Sequence, residues 1–143
     1  MKKMLMATTA AALLATHAYA DAHAKEVKLG VEFGFTGPIE SLTGPMSAGA
    51  ELAMKEVTDS GMLDGAKVTS IRADSGCIDN GLAVSGAERL IAEGVSGIIG
   101  GDCSGVTGAM LQNVAIPNGM VMISPSATSP GLTTMEDNGL FFR

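Results

Sequence analysis

The sequence predicts an α/β fold, a three-layer doubly wound parallel sheet, and three observations carry that expectation. Segments with strand character and segments with helical spacing alternate from Val27 onward. Connections after helices are short and plain, whereas those after strands are longer and polar. A chain of 143 residues, 46% hydrophobic and 17% charged, can close one core without a metal or a disulfide lattice.

Residues 1–20 read as an export signal rather than as part of this fold. Lys2 and Lys3 form its positive end, Met4 to Ala15 is almost wholly apolar or small, and Ala18-Tyr19-Ala20 offers a cleavage site. The apolar stretch is too short to span a bilayer, which takes about 20 residues. Ala22-His23-Ala24 is a second candidate site, so residues 21–26 read as a leader and 27–143 as the folded unit. Residues 1–20 carry no acidic group and no glycine, so their loss lowers the formal charge from −6 to −8 and keeps all 19 glycines.

Val27 to Phe33 (VKLGVEF) reads as the first strand and is followed by a Gly/Pro loop, Gly34 to Gly44. Met46, Ala50, Ala53 and Val57 recur at helical spacing, predicting a helix from Pro45 to Ser60 with Pro45 in its first turn and Gly61 as its stop. Ala66 to Ala73 alternates as a second strand. Asp79 or Asn80 can cap a second helix through Glu93, with Ala83, Ala87, Leu90 and Ile91 on one face. Val95 to Ile99 is a third strand, Ser104 caps a third helix ending before Pro117, and Val121 to Ile123 and Leu140 to Phe142 supply the last two strands, separated by a loop. In such a sheet, ligands bind beyond the carboxyl ends of the strands. That edge carries GFTGPIESLTG, DSGCIDNG, GGDCSG and SPSATSP.

Much chemistry is excluded. The acidic balance argues against a nucleic-acid surface, and the absence of Trp, with one Tyr and four Phe, argues against base stacking. Both histidines, His17 and His23, precede the fold, so no Ser–His or Cys–His couple can form within it. No GK[ST] follows the Gly-Gly-Asp-Cys-Ser-Gly turn, and neither a zinc nor a calcium spacing is present. A binding protein without catalytic, metal or cofactor chemistry is therefore expected.

Cys77 and Cys103 favour one disulfide in an exported chain, against the alternative of two buried free thiols. Ser104, at the turn from the third strand, and Ser126 and Thr128, beyond the neighbouring fourth, are hydroxyls that could converge on a carboxylate. Equally, each could merely cap a helix or a turn.

The segments FGFTGPIESLTGPMSAGAELAMKEV, ADSGC, GGDCSGVTGAM and MISPSATSP resemble the start of the periplasmic leucine/isoleucine/valine-binding proteins, the type I solute-binding family of ABC importers. The resemblance runs from Val27 to Arg143 in consistent order. It implies that the chain is a partial N-terminal lobe of a two-lobed protein that closes around its ligand, lacking the second lobe and the hinge strands. It also implies that Ser104 hydrogen-bonds the ligand carboxylate and that Thr128 binds the ligand by hydroxyl and backbone. Ser126, with Ala127 beside it, stands where small residues offer their backbone. Leu42 falls near a position that often carries an aromatic, in a loop one residue longer here. Cys77 and Cys103 match the family's first-lobe disulfide. The implied protein is a periplasmic monomer that captures a small carboxylate-bearing solute, in first place a branched-chain or other aliphatic amino acid, for ABC permease membrane subunits. A sensory receptor module, and ligands such as aromatic acids, amides or urea, stay open as alternatives.

Overall fold

The computed structural model describes residues 25–143. The expected signal, 1–20, and most of the leader lie outside the described residues. The elements run β1 (Glu26–Phe33), α1 (Glu40–Ser60), β2 (Lys67–Asp74), α2 (Asn80–Ala92), β3 (Ile98–Gly100) and α3 (Ser104–Met110). A π-helical stretch, Leu111–Ala115, then leads into α4 (Ile116–Asn118), followed by β4 (Met122–Ile123), α5 (Gly131–Thr134) and β5 (Phe141–Phe142). The five strands are parallel in the order β2-β1-β3-β4-β5. Connections therefore run one way from β1 to β2 and the other way from β3 onward, which puts the topological switch between β1 and β3.

Two apolar clusters sandwich the sheet. Val31, Phe33, Met54 and Val68 pack under α1 on one face. Leu90, Val106, Met110, Ile98 and Met122 form the larger core under α2 and α3 on the other. Parallel register makes the difference between the faces legible. Ile98, Met122 and Phe141 lie side by side toward α2 and α3, all buried. Their successors Ile99, Ile123 and Phe142 form the matching row toward α1, where Ile123 is 49% and Phe142 53% exposed. Only the β1 end of that row, at Val31, is sealed. An apolar groove of about 560 Å³ opens there between α1 and the β3–β4 surface. Each of these large side chains stands to gain up to about 1.5–3 kcal/mol on being covered.

Several expected boundaries move. The first helix begins at Glu40, not Pro45, so Pro45 is interior and Leu42 lies in the helix rather than in a loop. The extra turn is anchored from outside: the Thr43 hydroxyl, 1% exposed, donates to the Gly34 carbonyl, and the Leu42 N–H bonds back to Ile39. The third helical segment continues past Pro117 to Asn118. Through the π turn the Ile116 N–H reaches Leu111, five residues back, and this wider winding makes room for a ring that would crowd a regular turn. Gly119, at φ 64°, ends it. The short helix α5 replaces part of the expected final loop. Asp79 caps α2 as expected, its carboxylate accepting from the Leu82 N–H at 3.0 Å.

Candidate functional site

The loops after β1, β2 and β3 meet at one edge, where two short-range devices bind them. A disulfide joins Cys77 to Cys103 across 26 residues of sequence. Since β1 lies between β2 and β3, this bond arches over the carboxyl end of β1. A Cβ on Gly34 would stand 3.0 Å from that of Cys77, so the chain passes beneath the bridge as glycine. Asp102, 4% exposed, completes the tie. Its Oδ2 accepts from the Gly34 N–H at 2.7 Å, and its Oδ1 accepts from the Ser75 hydroxyl and the Cys103 N–H at 3.3 and 3.0 Å. Asp74 does the same lower on β2, accepting from the Thr36 hydroxyl at 2.6 Å and from the N–H groups of Thr36 and Gly76. Partial burial pushes the Asp74 carboxyl up, but these bonds outweigh it and hold the group below its ordinary value.

Gly101 carries the turn that follows β3. Its φ is +71°, and an added Cβ would lie 2.4 Å from the Thr107 hydroxyl. That hydroxyl donates to the Gly101 carbonyl, as does Ser124 from the end of β4. The β3 and β4 loops are thereby locked together, which brings the expected hydroxyls close. Ser104 is the first residue of α3 rather than its cap, a place taken by Cys103. Its Oγ accepts from the Ser129 N–H at 3.0 Å, so the side chain is engaged across the loops instead of along its own helix. Ser126 donates to the Asp102 carbonyl at 2.8 Å. Ala127 is buried, and its N–H is taken up by Ser124 Oγ at 2.9 Å.

Thr128 differs from all of its neighbours. Among the described residues its N–H, carbonyl and hydroxyl make no hydrogen bond, although the residue is exposed at the mouth of a recess of about 370 Å³. Ser124, Ser126, Ala127 and Arg143 line the same recess. Arg143 donates through Nη1 to the carbonyls of Ala127 and Ser129 at 3.0 and 3.1 Å, and through Nη2 to the Thr133 hydroxyl. Ser104 joins this group through its bond to Ser129. Leu42 does not; it stands 59% exposed in the first turn of α1.

Sequence reasoning did not single out Asp102 or Glu32. Asp102 sat in plain view before Cys103, but nothing in a short Gly-rich turn says that its carboxylate points inward. Glu32 interrupts the apolar β1 and is fully buried, with neither carboxyl oxygen partnered among the described residues. It faces α2, where Gly86 leaves it space: a Cβ there would come 2.4 Å from Glu32 Oε1.

Comparison with known proteins identifies the family. Residues 26–143 match the family described as periplasmic binding protein. The Leu/Ile/Val-binding protein homolog 7 of Brucella melitensis is 39% identical over 106 residues, 73% of this chain and 25% of its own. The Leu/Ile/Val-binding protein BraC3 of Rhizobium johnstonii is 30% identical over 131 residues, 91% of this chain and 35% of its own. Among solved structures, the branched-chain amino acid transporter substrate binding protein LivJ of Streptococcus pneumoniae, in complex with isoleucine, superposes with a TM-score of 0.74. It is 32% identical over 82% of this chain and 33% of its own. An ABC transporter substrate-binding protein of Desulfitobacterium hafniense, in complex with Leu, gives a TM-score of 0.71 at 27% identity over 82% of this chain and 34% of its own. The chain thus spans between a quarter and about a third of the length of these relatives. With its parallel sheet and a match over nearly all its described length, the chain belongs to the periplasmic binding protein family.

Proposed function

We propose that this chain forms one wall of the ligand cleft of a periplasmic solute-binding protein. The whole protein captures a small carboxylate-bearing solute, in first place a branched-chain amino acid, and delivers it to the membrane subunits of an ABC importer. The observation that carries this reading is Thr128: three polar groups without partners among the described residues, presented at the carboxyl ends of the strands between Ala127 and Ser129, whose backbone groups are bonded. Ser104 and Ser126 stand beside it with hydroxyls able to rotate toward a ligand oxygen. In this reading the role is binding without turnover, in keeping with the match to the periplasmic binding protein family.

Two further features support a two-lobed protein. The recess is shallow and one-sided, while a pocket for a small solute normally encloses most of the ligand. The α1 face of the sheet is covered over β2 and β1 but left half-exposed over β4 and β5, which fits a lobe completed by the remaining length seen in the relatives. In this reading residues 1–20 direct export and are removed, and the full-length protein acts as a monomer. Calorimetry with L-leucine, L-isoleucine and L-valine tests it. The full-length protein binds at least one of them, and this chain alone binds far more weakly, because one open wall leaves its hydrogen bonds competing with water. Equal affinity of chain and full-length protein would overturn the two-walled site. Failure of the full-length protein to bind any of the three would overturn the amino-acid assignment.

A further inference from the structure

Every backbone group next to Thr128 is tied down, whereas no polar group of Thr128 itself is bonded among the described residues. The Ala127 N–H bonds to Ser124 Oγ and the Ser129 N–H to Ser104 Oγ. The two flanking carbonyls, of Ala127 and Ser129, both accept from one nitrogen, Arg143 Nη1. We propose that Arg143 is a positioning residue of this site, strengthening ligand binding by holding Thr128 outward in its binding conformation.

The geometry suits this role better than direct ligand contact. A guanidinium is planar and always charged, and its donors diverge in a fixed fork. Here three of its five donors are engaged within the chain: Nη1 bridges the two carbonyls around Thr128, and Nη2 holds the Thr133 hydroxyl on α5. Arg143 follows β5, whereas the loop follows β4, so the contact also fixes the loop against the neighbouring strand. Without it, the Ala127 carbonyl loses its donor and the Ser129 carbonyl keeps only the Leu132 N–H, so the peptide between Ala127 and Thr128 can turn toward solvent. Thr128 would then offer the same groups in many directions. Arg143 is the one charged residue lining the recess among the described residues.

This inference rests on the reading that Thr128 contacts the ligand, and a double-mutant cycle in the full-length protein separates the two. The probe is L-isoleucine, measured by calorimetry, with thermal unfolding recorded for each variant. Arg143→Gln weakens binding about tenfold, since a binding group left loose by an unsupported neighbour loses most of its hydrogen-bond advantage. Thr128→Ala also weakens it. In the double variant the losses do not multiply, falling short of the product by about threefold or more, because Arg143 acts through Thr128. If Thr128→Ala leaves affinity unchanged, the binding-site reading fails. If Thr128→Ala weakens binding but the two losses multiply, or Arg143→Gln has no effect, the positioning role fails while the site stands. Should Arg143→Gln not fold, Thr133→Val, which removes the guanidinium's third acceptor, carries the same cycle. It is expected to weaken binding about twofold, a loss that vanishes in the Thr128→Ala background.

Discussion

Replacing Glu32 by glutamine should abolish a pH dependence that the wild-type fold carries through neutrality. Glu32 lies on the central strand β1 with its carboxyl against Gly86 of α2, fully buried and unpartnered among the described residues. Burial pushes its pKa from 4.5 up to about 8; Arg89 pulls it down, while Asp102 and Asp74 push it further up. At pH 7 the folded chain therefore holds this proton and the unfolded chain has released it. The stability contributed by the neutral acid is fully present below pH 4.5 and is lost as pH rises through about 8. Each pH unit of that window corresponds to about 1.4 kcal/mol, so the whole window amounts to about 5 kcal/mol. The carboxyls of Asp74 and Glu51 are shifted the opposite way and titrate below this range. Burial pushes Asp74 up but hydrogen bonds from Thr36 and Gly76 prevail, whereas Glu51 is lowered chiefly by its bond with Arg72. Urea unfolding followed by circular dichroism between pH 5 and 9 measures the slope. Wild type should lose stability steadily with rising pH, and Glu32→Gln should be nearly flat, keeping shape and volume without a titrating proton. A flat wild-type profile, or an equal slope in both proteins, would refute the burial of a neutral Glu32.

Two other perturbations have definite outcomes. Removing both cysteines of the Cys77–Cys103 bond should cost about 3.5 kcal/mol from unfolded-chain entropy alone, and mass spectrometry of unreduced exported protein should show one linked peptide pair; two alkylatable thiols in that material would contradict it. Gly101→Ala should lower stability by about 2 kcal/mol or more, because it adds a clash with Thr107 to a left-handed φ. Gly119→Ala, with φ +64° but open space around it, should cost only about 1 kcal/mol, and thermal melts of the two variants check the difference.

Periodicity revealed the alternation of strands and helices because each element buries a face with its own spacing, and the loops at the carboxyl ends followed from that order. The places it misjudged are those where a distant contact overrides a local signal. Pro45 marks a first turn by local rules, yet Thr43 is held by Gly34 from the preceding loop, and the helix starts five residues earlier. Pro117 signals a stop, yet a π turn absorbs its ring. Ser104 looks like a cap, yet its hydroxyl serves the Ser129 peptide, 25 residues away. Site residues were legible as types, since hydroxyls beyond neighbouring strands can converge. What no local pattern contained was the tying of Asp102 to three loops, or the bracketing of Thr128 by Arg143.

The central claim, that the hydroxyls beyond β3 and β4 hold a ligand carboxylate, is tested most directly by one comparison. Ser104→Ala combined with Thr128→Ala is introduced into the full-length protein, and binding is measured by calorimetry against a panel of aliphatic amino acids and aromatic acids. Each hydroxyl is a donor to a charged group worth about 1.5–3 kcal/mol, so the double variant should bind its best ligand at least a hundredfold more weakly than the parent. If it binds the whole panel as tightly as the parent, the carboxylate is held elsewhere and the assigned site is wrong.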